Sequence, residues 1–213
     1  MKINWLGHSC FLLETNQETK VITDPYESGS YDGALSYDPI NSKADVVTVS
    51  HQHNDHNNIK DFKNTLVIDS ETKTSIKDIS IEGMLSYHDN DNGRLRGENI
   101  IFTIYAEGLK IVHFGDLGTK DIELSLFKDI DVALVPIGGT FTIDAVEASQ
   151  LVKDINPKIT IPMHYKTSKL KFDIDGVDKF LKINCDHENK NYLEINQNRE
   201  ESFKRIVILK HQR

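Results

Sequence analysis

Asp45-Val46-Val47-Thr48-Val49-Ser50-His51-Gln52-His53-Asn54-Asp55-His56 is the stretch on which the reading of this chain turns. Its first half, residues 45–50, is a β-branched run that reads as a buried strand. Its second half places four ligand-type side chains within six residues. In extended chain His51 and His53 point to the same side, because side chains alternate with period two, so both imidazoles can converge on one cation. The chain then turns at Asn54 toward a helix expected from Asn57 to Phe62. Asp55 and His56 leave that turn in another direction and suit a second cation nearby. Imidazole and carboxylate are the ligand types of zinc and similar divalent metals. A lone histidine here would read as a solvated loop residue; four ligand-type residues at this spacing behind a buried strand read as a metal site.

Six residues do not complete two coordination shells, so further ligands are expected from other strand ends. Asp116 lies in His113-Phe114-Gly115-Asp116-Leu117-Gly118, after a strand at 109–114, and its flanking glycines let the backbone approach closely. His164 ends a strand at 159–162, and His88 ends a strand at 80–87, just before the turn-forming run Asp89-Asn90-Asp91-Asn92-Gly93. His113 competes with His88 as the third histidine. Arg94, Arg96 and Lys166 adjoin these segments and could hold a substrate phosphate or carboxylate, though surface charges are an equal reading for each.

Around these positions the chain alternates strands and helices. Strands are expected at 2–6, 9–14, 19–24 and 66–68, with Thr15-Asn16-Gln17-Glu18 as a hairpin turn, and again at 99–106, 131–135 and 205–209. Glu107-Gly108 reads as the tight turn between residues 106 and 109. Helices are expected near 72–77, at 143–154 with Thr142 as N-cap, and at 176–183. The polar stretch 184–203 has no clear assignment. Two strand groups with helices between and after them point to an α+β chain folded as an αββα four-layer sandwich. Nothing marks a linker or a composition break, so residues 1–213 are expected to form a single domain.

Bulk composition excludes several classes. With 38% hydrophobic and 27% charged residues the 213-residue chain has a globular balance. No run approaches the roughly eighteen apolar residues of a membrane span, and Met1–His8 lacks the pattern of a secretory signal, so a cytoplasmic protein is expected. The net charge of −8 argues against nucleic acid as a partner, whose phosphates need a basic patch. It leaves a small-molecule substrate as the expected partner and homo-oligomerisation open. Cys10 and Cys185 are expected to be reduced thiols rather than a disulfide framework.

The chain resembles the metallo-β-lactamase superfamily, whose signature is the H-x-H-x-D-H box. It resembles most the UlaG-like (L-ascorbate-6-phosphate lactonase-like) branch of that superfamily. The resemblance rests on Trp5-Leu6-Gly7-His8-Ser9-Cys10-Phe11, Thr23-Asp24-Pro25, the box, Tyr87-His88-Asp89, Arg96-Gly97-Glu98-Asn99, His113-Phe114-Gly115-Asp116, Val135-Pro136-Ile137-Gly138-Gly139 and Ile161-Pro162-Met163-His164-Tyr165, in family order over about residues 1–168. It implies one cation on His51, His53 and His88, a second on Asp55, His56 and His164, and Asp116 as the bridge. His88 is thereby preferred over His113. It further implies two divalent ions, zinc first with manganese or iron as alternatives. Their bridging hydroxide would attack a small, anionic ester or lactone, with Asp116 or Asp55 orienting it and accepting its proton. Asp24 is expected to fix the metal loop. His8, Arg96, His113 and Lys166 are expected to support the ligands or face the substrate. A phosphodiesterase acting on nucleotides or lipid headgroups, and a metal-binding sensor without turnover, are the alternatives. A zinc β-lactamase is not expected, since such enzymes are exported and commonly place a cysteine where Asp116 stands.

Overall fold

The computed structural model describes residues 1–197 and 205–213, so 198–203 of the unassigned stretch lie outside the described residues. Two sheets are stacked. The first has six strands in the order β13-β1-β2-β3-β4-β5: β1 (Lys2–Gly7), β2 (Cys10–Glu14), β3 (Lys20–Thr23), β4 (Val46–Thr48), β5 (Leu66–Ile68) and β13 (Leu193–Glu194). The second has eight in the order β12-β14-β11-β10-β9-β8-β7-β6: β6 (Thr72–Ile76), β7 (Ile79–Tyr87), β8 (Glu98–Ala106), β9 (Leu109–His113), β10 (Val132–Pro136), β11 (Ile159–Met163), β12 (His187–Lys190) and β14 (Ile206–Leu209).

Period-two alternation explains the layering. On β1 to β4, Ile3, Trp5, Phe11, Leu13, Val21 and Val46 enter the core between the sheets. Their neighbours Leu6, Cys10, Ile22 and Val47 enter a second core on the outer face, closed by Tyr26, Leu35, Tyr37, Ile40, Phe62, Leu170 and Ile174. The first sheet is therefore buried on both faces. Its outer cover is irregular chain plus the short turn α1 (Ser30–Gly33), in which Tyr31 and Asp32 are left-handed. The outer layer of the second sheet is helical. In α2 (Ala145–Ile155), Ala145, Ala148, Leu151, Val152 and Ile155 face the core, and α2 packs on α3 (Val177–Ile183). Strands β9, β10, β11 and β14 run parallel, and β10 and β11 are buried at every position, as parallel strands covered on both faces require. The αββα sandwich thus stands, with one of its helical layers reduced to loops.

Four expectations change. Residues 72–77 form the edge strand β6, paired antiparallel with β7 from Thr72↔Gly83 to Ile76↔Ile79; the β-branched Thr72, Thr74 and Ile76 suit a pleated surface. Between Asn57 and Phe62 only a 3₁₀ turn forms, at Ile59–Asp61. The N-cap of α2 is Asp144 rather than Thr142: its carboxylate accepts from the amides of Val146 and Glu147, while Glu147 reaches back to the Asp144 amide. Such a box stabilises a helix start by about 1 kcal/mol. The unassigned 184–203 contains β12, which pairs parallel with β14, and β13, which pairs with β1. Cys10 is buried and free, and Cys185 is exposed and free. Among the described residues no helix is long and apolar enough to cross a membrane.

Candidate metal centre

One rim of the molecule collects the strand ends. His8 follows β1, Asp24 follows β3, His88 follows β7 and His164 follows β11, each as the first residue past its strand; the histidine box follows β4, and Asp116 follows β9 by three. His8, Asp24 and His164 turn off their strands in the left-handed region, with φ of 53°, 40° and 50°. A non-glycine residue there costs about 1–2 kcal/mol, and three such residues at one site indicate that the surrounding contacts enforce the geometry. For His8 those contacts are visible: the Trp5 indole donates to its carbonyl at 2.9 Å and the His164 amide at 3.3 Å.

Asp24 anchors the histidine box. It is fully buried and accepts the Ser50 amide (2.7 Å), the Ser50 hydroxyl (2.6 Å) and His56 Nδ1 (2.8 Å). An ionised carboxylate only accepts, so His56 presents Nδ1–H to it. The Ser50 proton is used on Asp24, so its oxygen accepts from His51 Nδ1 at 2.9 Å. One buried carboxylate thereby fixes both rings and turns both Nε2 atoms inward toward Asp116, where among the described residues neither makes a well-aligned hydrogen bond. Burial would raise the Asp24 pKa, but His113 and His56 outweigh it and hold it below the ordinary value. Asp24 thus ties the end of β3 to the histidine box through three accepted hydrogen bonds, and it also lies close enough to His51 and His56 for the three to hold a cation.

Asp116 Oδ2 is the centre of the cluster. It lies 3.1 Å from His164 Nε2, 3.2 Å from His56 Nε2, 3.4 Å from His88 Nε2 and 3.8 Å from His51 Nε2. The donor atoms of His51, His53 and His88 lie within 4.8 Å of one another, as do those of His8, Asp55, His56 and His164. Asp116 touches members of both sets. Burial opposes its charge, yet His164 and His56 hold its pKa well below the carboxylate range. Burial likewise opposes charge on His56, but Asp116 and Asp55 prevail and raise it well above an ordinary imidazole. Burial and His56 push His51 down, and burial lowers His88. Unpartnered, buried imidazole nitrogens around an ionised carboxylate fit a divalent cation set; such atoms are otherwise costly to bury.

The flanking glycines act as expected. A Cβ on Gly115 (φ 56°) would stand 2.3 Å from Asn99 Oδ1, and one on Gly118 would stand 2.3 Å from the His88 backbone. Asn99 accepts the Asp116 amide at 2.8 Å and donates to Ser86 and the Phe114 carbonyl, so it sets the height of Asp116.

The remaining expected residues separate. His8 Nε2 donates to Asp55 Oδ2 at 3.1 Å, and its ring lies 4.2 Å from that of His164 at a tilt of 42°; burial, then His164, lowers its pKa to about 4. His113 lies behind the site with both nitrogens used: Nε2 donates to the Ser9 carbonyl (2.8 Å) and Nδ1 accepts the Gly115 amide (3.2 Å). It buttresses the rim and neither joins the cluster nor faces a substrate. Lys166 is exposed, with its ammonium on the Phe172 carbonyl and away from the cleft lining. Arg94 is exposed and pairs with Asp91 at 3.4 Å. Arg96 does reach the site. Asp89 accepts four backbone amides, those of Asp91, Gly93, Leu95 and Arg96, and so shapes the loop that delivers it.

Above the cluster opens a cleft of about 330 Å³, lined by His53, Asp55, His88, Asp116 and His164 below and by Tyr31, Arg96, Phe141 and Phe172 around. Sequence reading missed Tyr31, Phe141, Phe172, Ser50 and Asn99. The Tyr31 hydroxyl donates to Asp55 Oδ1 at 3.0 Å, so with His8 both Asp55 oxygens are engaged. Ser50 and Asn99 stand in stretches already singled out; the three aromatics lie on loops without local periodicity.

Comparison with known proteins places the chain in a family. Residues 2–164 match the β-lactamase superfamily domain. A UPF0173 metal-dependent hydrolase of Thermoplasma acidophilum is 35% identical over 196 residues, covering 80% of this chain and 85% of the relative. A proposed Zn-dependent hydrolase of the metallo-β-lactamase superfamily from Thermotoga maritima, known from its crystal structure, superposes with a TM-score of 0.79 at 37% identity, covering 98% of this chain and 97% of that one. A metallo hydrolase from Ignicoccus hospitalis, 20% identical with a TM-score of 0.64, covering 85% of this chain and 89% of that one, shares the fold. By sequence and by structure, the chain belongs to the β-lactamase superfamily and, within it, to the UPF0173 metal-dependent hydrolases.

Proposed function

We propose that this chain works as a single-domain, metal-dependent hydrolase of small ester or lactone substrates, in the UlaG-like branch of the superfamily. The observation that carries the reading is the ring of four imidazole Nε2 atoms within 3.1–3.8 Å of Asp116 Oδ2. His51, His53 and His88 would hold one divalent cation, Asp55, His56 and His164 a second, and Asp116 would join both. Zinc fits the donors, as do manganese and iron. When bound, such cations supply a water that is nucleophilic near neutral pH and an electrophile for the attacked carbonyl oxygen.

The chain's own groups divide the remaining work. Asp55 is locked by Tyr31 and His8, which suits a ligand whose orientation must not drift. Asp116 Oδ1 is buried without a hydrogen-bond partner, which leaves it free to orient the attacking water and receive its proton. Asp24 holds the His51 and His56 rings so that their lone pairs stay inward. Arg96 binds the anionic part of the substrate.

The test is a panel of activated esters, lactones and phosphodiesters against protein stripped with chelator and reloaded with zinc, manganese or iron. Ester or lactone hydrolysis that vanishes with chelator and returns with metal is expected. Preference for the phosphodiester would favour the phosphodiesterase alternative, and tight metal binding without any turnover the sensor.

A further inference from the structure

The cleft walls say what kind of substrate the centre accepts. Tyr31 and Phe141 are 44% and 37% exposed, unusual for large aromatics, and Phe172 is half-buried between them. Their rings meet edge to face, Tyr31–Phe172 at 5.2 Å and 84°, and Phe141–Phe172 at 6.2 Å and 74°, forming one continuous apolar wall over the cluster. Aromatic rings in this arrangement offer area but no hydrogen bonds, and the one hydroxyl, on Tyr31, is engaged by Asp55.

Over the Phe141 end of this wall stands Arg96, half-buried and, among the described residues, the sole Lys or Arg lining the cleft. Its guanidinium carbon lies 5.7 Å from the Phe141 ring centre, and among the described residues it makes no ion pair. Beyond Arg96 and His53 lies a wider groove carrying Asp69, Glu71 and Glu98, whose charges would turn an anion back toward the cleft.

A phosphorylated sugar lactone fits these walls poorly. Each hydroxyl buried against Phe141 or Phe172 would lose its water without a replacement partner, and Arg96 is the one cationic side chain of the lining that could meet a phosphate remote from the scissile bond. From this juxtaposition of an unpaired guanidinium and an open aromatic wall, and resting on the hydrolase reading above, we infer that the substrate is an ester or lactone carrying a flat or branched apolar group and a single carboxylate. The apolar group lies on Tyr31, Phe141 and Phe172, the carboxylate meets Arg96, and the scissile carbonyl faces Asp116. In the reaction the water oxygen bonds to the acyl carbon as the acyl C–O bond breaks. One water proton goes to the leaving alkoxide, and the new carboxylic acid releases the other to solvent.

The experiment compares four lactones with metal-loaded protein: an unsubstituted γ-lactone, its phenyl derivative, a phenyl derivative also bearing a carboxylate, and a phosphorylated sugar lactone. Binding of 4-phenylbutyrate against butyrate is measured in parallel by titration calorimetry. kcat/KM is expected to rise by about tenfold with the phenyl group and again with the carboxylate, mainly through KM. Phe141→Ala, on a half-open wall, should remove most of the phenyl advantage, and Arg96→Gln most of the carboxylate advantage. Phe172→Ala repeats the first comparison from a more buried position. If no lactone is hydrolysed but 4-phenylbutyrate binds more tightly than butyrate and Phe141→Ala abolishes the difference, the hydrolase reading falls and the ligand class stands. If the phosphorylated lactone is preferred, or phenyl and unsubstituted ligands are treated alike, the ligand class is wrong whatever the catalysis.

Discussion

The floor and the wall of the cleft are built on different principles. The floor is buried at Asp55, His88, Asp116 and His164 and, behind them, at Asp24, Ser50, His51 and His56, while His53 at its edge is exposed. Asp24 meets donors at 2.6–2.8 Å, and three residues around the rim sit in left-handed backbone. The wall of Tyr31, Phe141, Phe172 and Arg96 is half-open and is held by ring edges, one hydroxyl bond and a loop tied at its backbone. A metal-binding, proton-handling floor would need positions fixed to a fraction of an ångström, which burial and the Asp24 hydrogen bonds behind the rings supply. Recognition of an apolar surface tolerates looser placement, because its driving force is non-directional.

Substitutions can break this contrast, and the floor should respond most. Asp116→Asn should lower hydrolysis on the order of 10³-fold and reduce the metal content seen by elemental analysis, with the thermal midpoint of the metal-free protein little changed. Retained metal and activity would contradict its central place. Asp24→Asn acts from behind the rings and loosens Ser50, His51 and His56 together. Metal affinity by competition with a chromogenic chelator should fall about 10–100-fold; an unchanged affinity would reduce Asp24 to a folding residue. Tyr31→Phe, on the wall, removes a single bond to Asp55. It should cost about two- to tenfold in kcat/KM with full metal content, and a loss as large as that of Asp116→Asn would erase the distinction.

The smallest effects sharpen it by affecting stability alone. His113→Ala should destabilise by about 3 kcal/mol in urea unfolding while metal stoichiometry stays at the wild-type value, because His113 bonds only backbone groups. A loss of bound metal would return it to the ligand set. Without metal, the floor should also be acid-sensitive. His8 has a folded pKa of about 4 against an ordinary 6.5, so between these values the unfolded chain binds more protons. Its contribution is complete above pH 6.5 and is lost as pH falls toward 4. Burial lowers His113, His51 and His88 in the same direction, while the raised His56 opposes them only above its ordinary pKa, near the top of this pH range. Denaturation of chelator-treated protein at pH 7 and pH 5 should therefore show lower stability at pH 5; higher stability at pH 5 would mean these rings are charged when folded.

The same contrast explains what the sequence disclosed. The floor was legible because its residues sit at strand ends in local patterns: the histidine box after a β-branched run, Asp116 between glycines, and His164 and His88 at the close of apolar strands. That His113 faces Ser9, away from the cluster, depends on contacts about a hundred residues apart along the chain, so spacing alone left it competing with His88. The wall was not legible, because Tyr31, Phe141 and Phe172 lie on loops with no period and meet only through tertiary structure. The missed elements have the same origin. β6 is a short polar edge strand defined by its pairing with β7, and β12 exists through its parallel register with β14. The Asp144–Glu147 capping box, by contrast, was readable as Asp-x-x-Glu ahead of an apolar run and lost to the nearby Thr142.

Crystals of zinc-loaded protein, with anomalous diffraction collected across the zinc edge, test the central claim most directly. Two peaks are expected on either side of the Asp116 carboxylate, one against His51, His53 and His88 and the other against Asp55, His56 and His164. A lone peak away from Asp116, or none at this rim, would contradict the account.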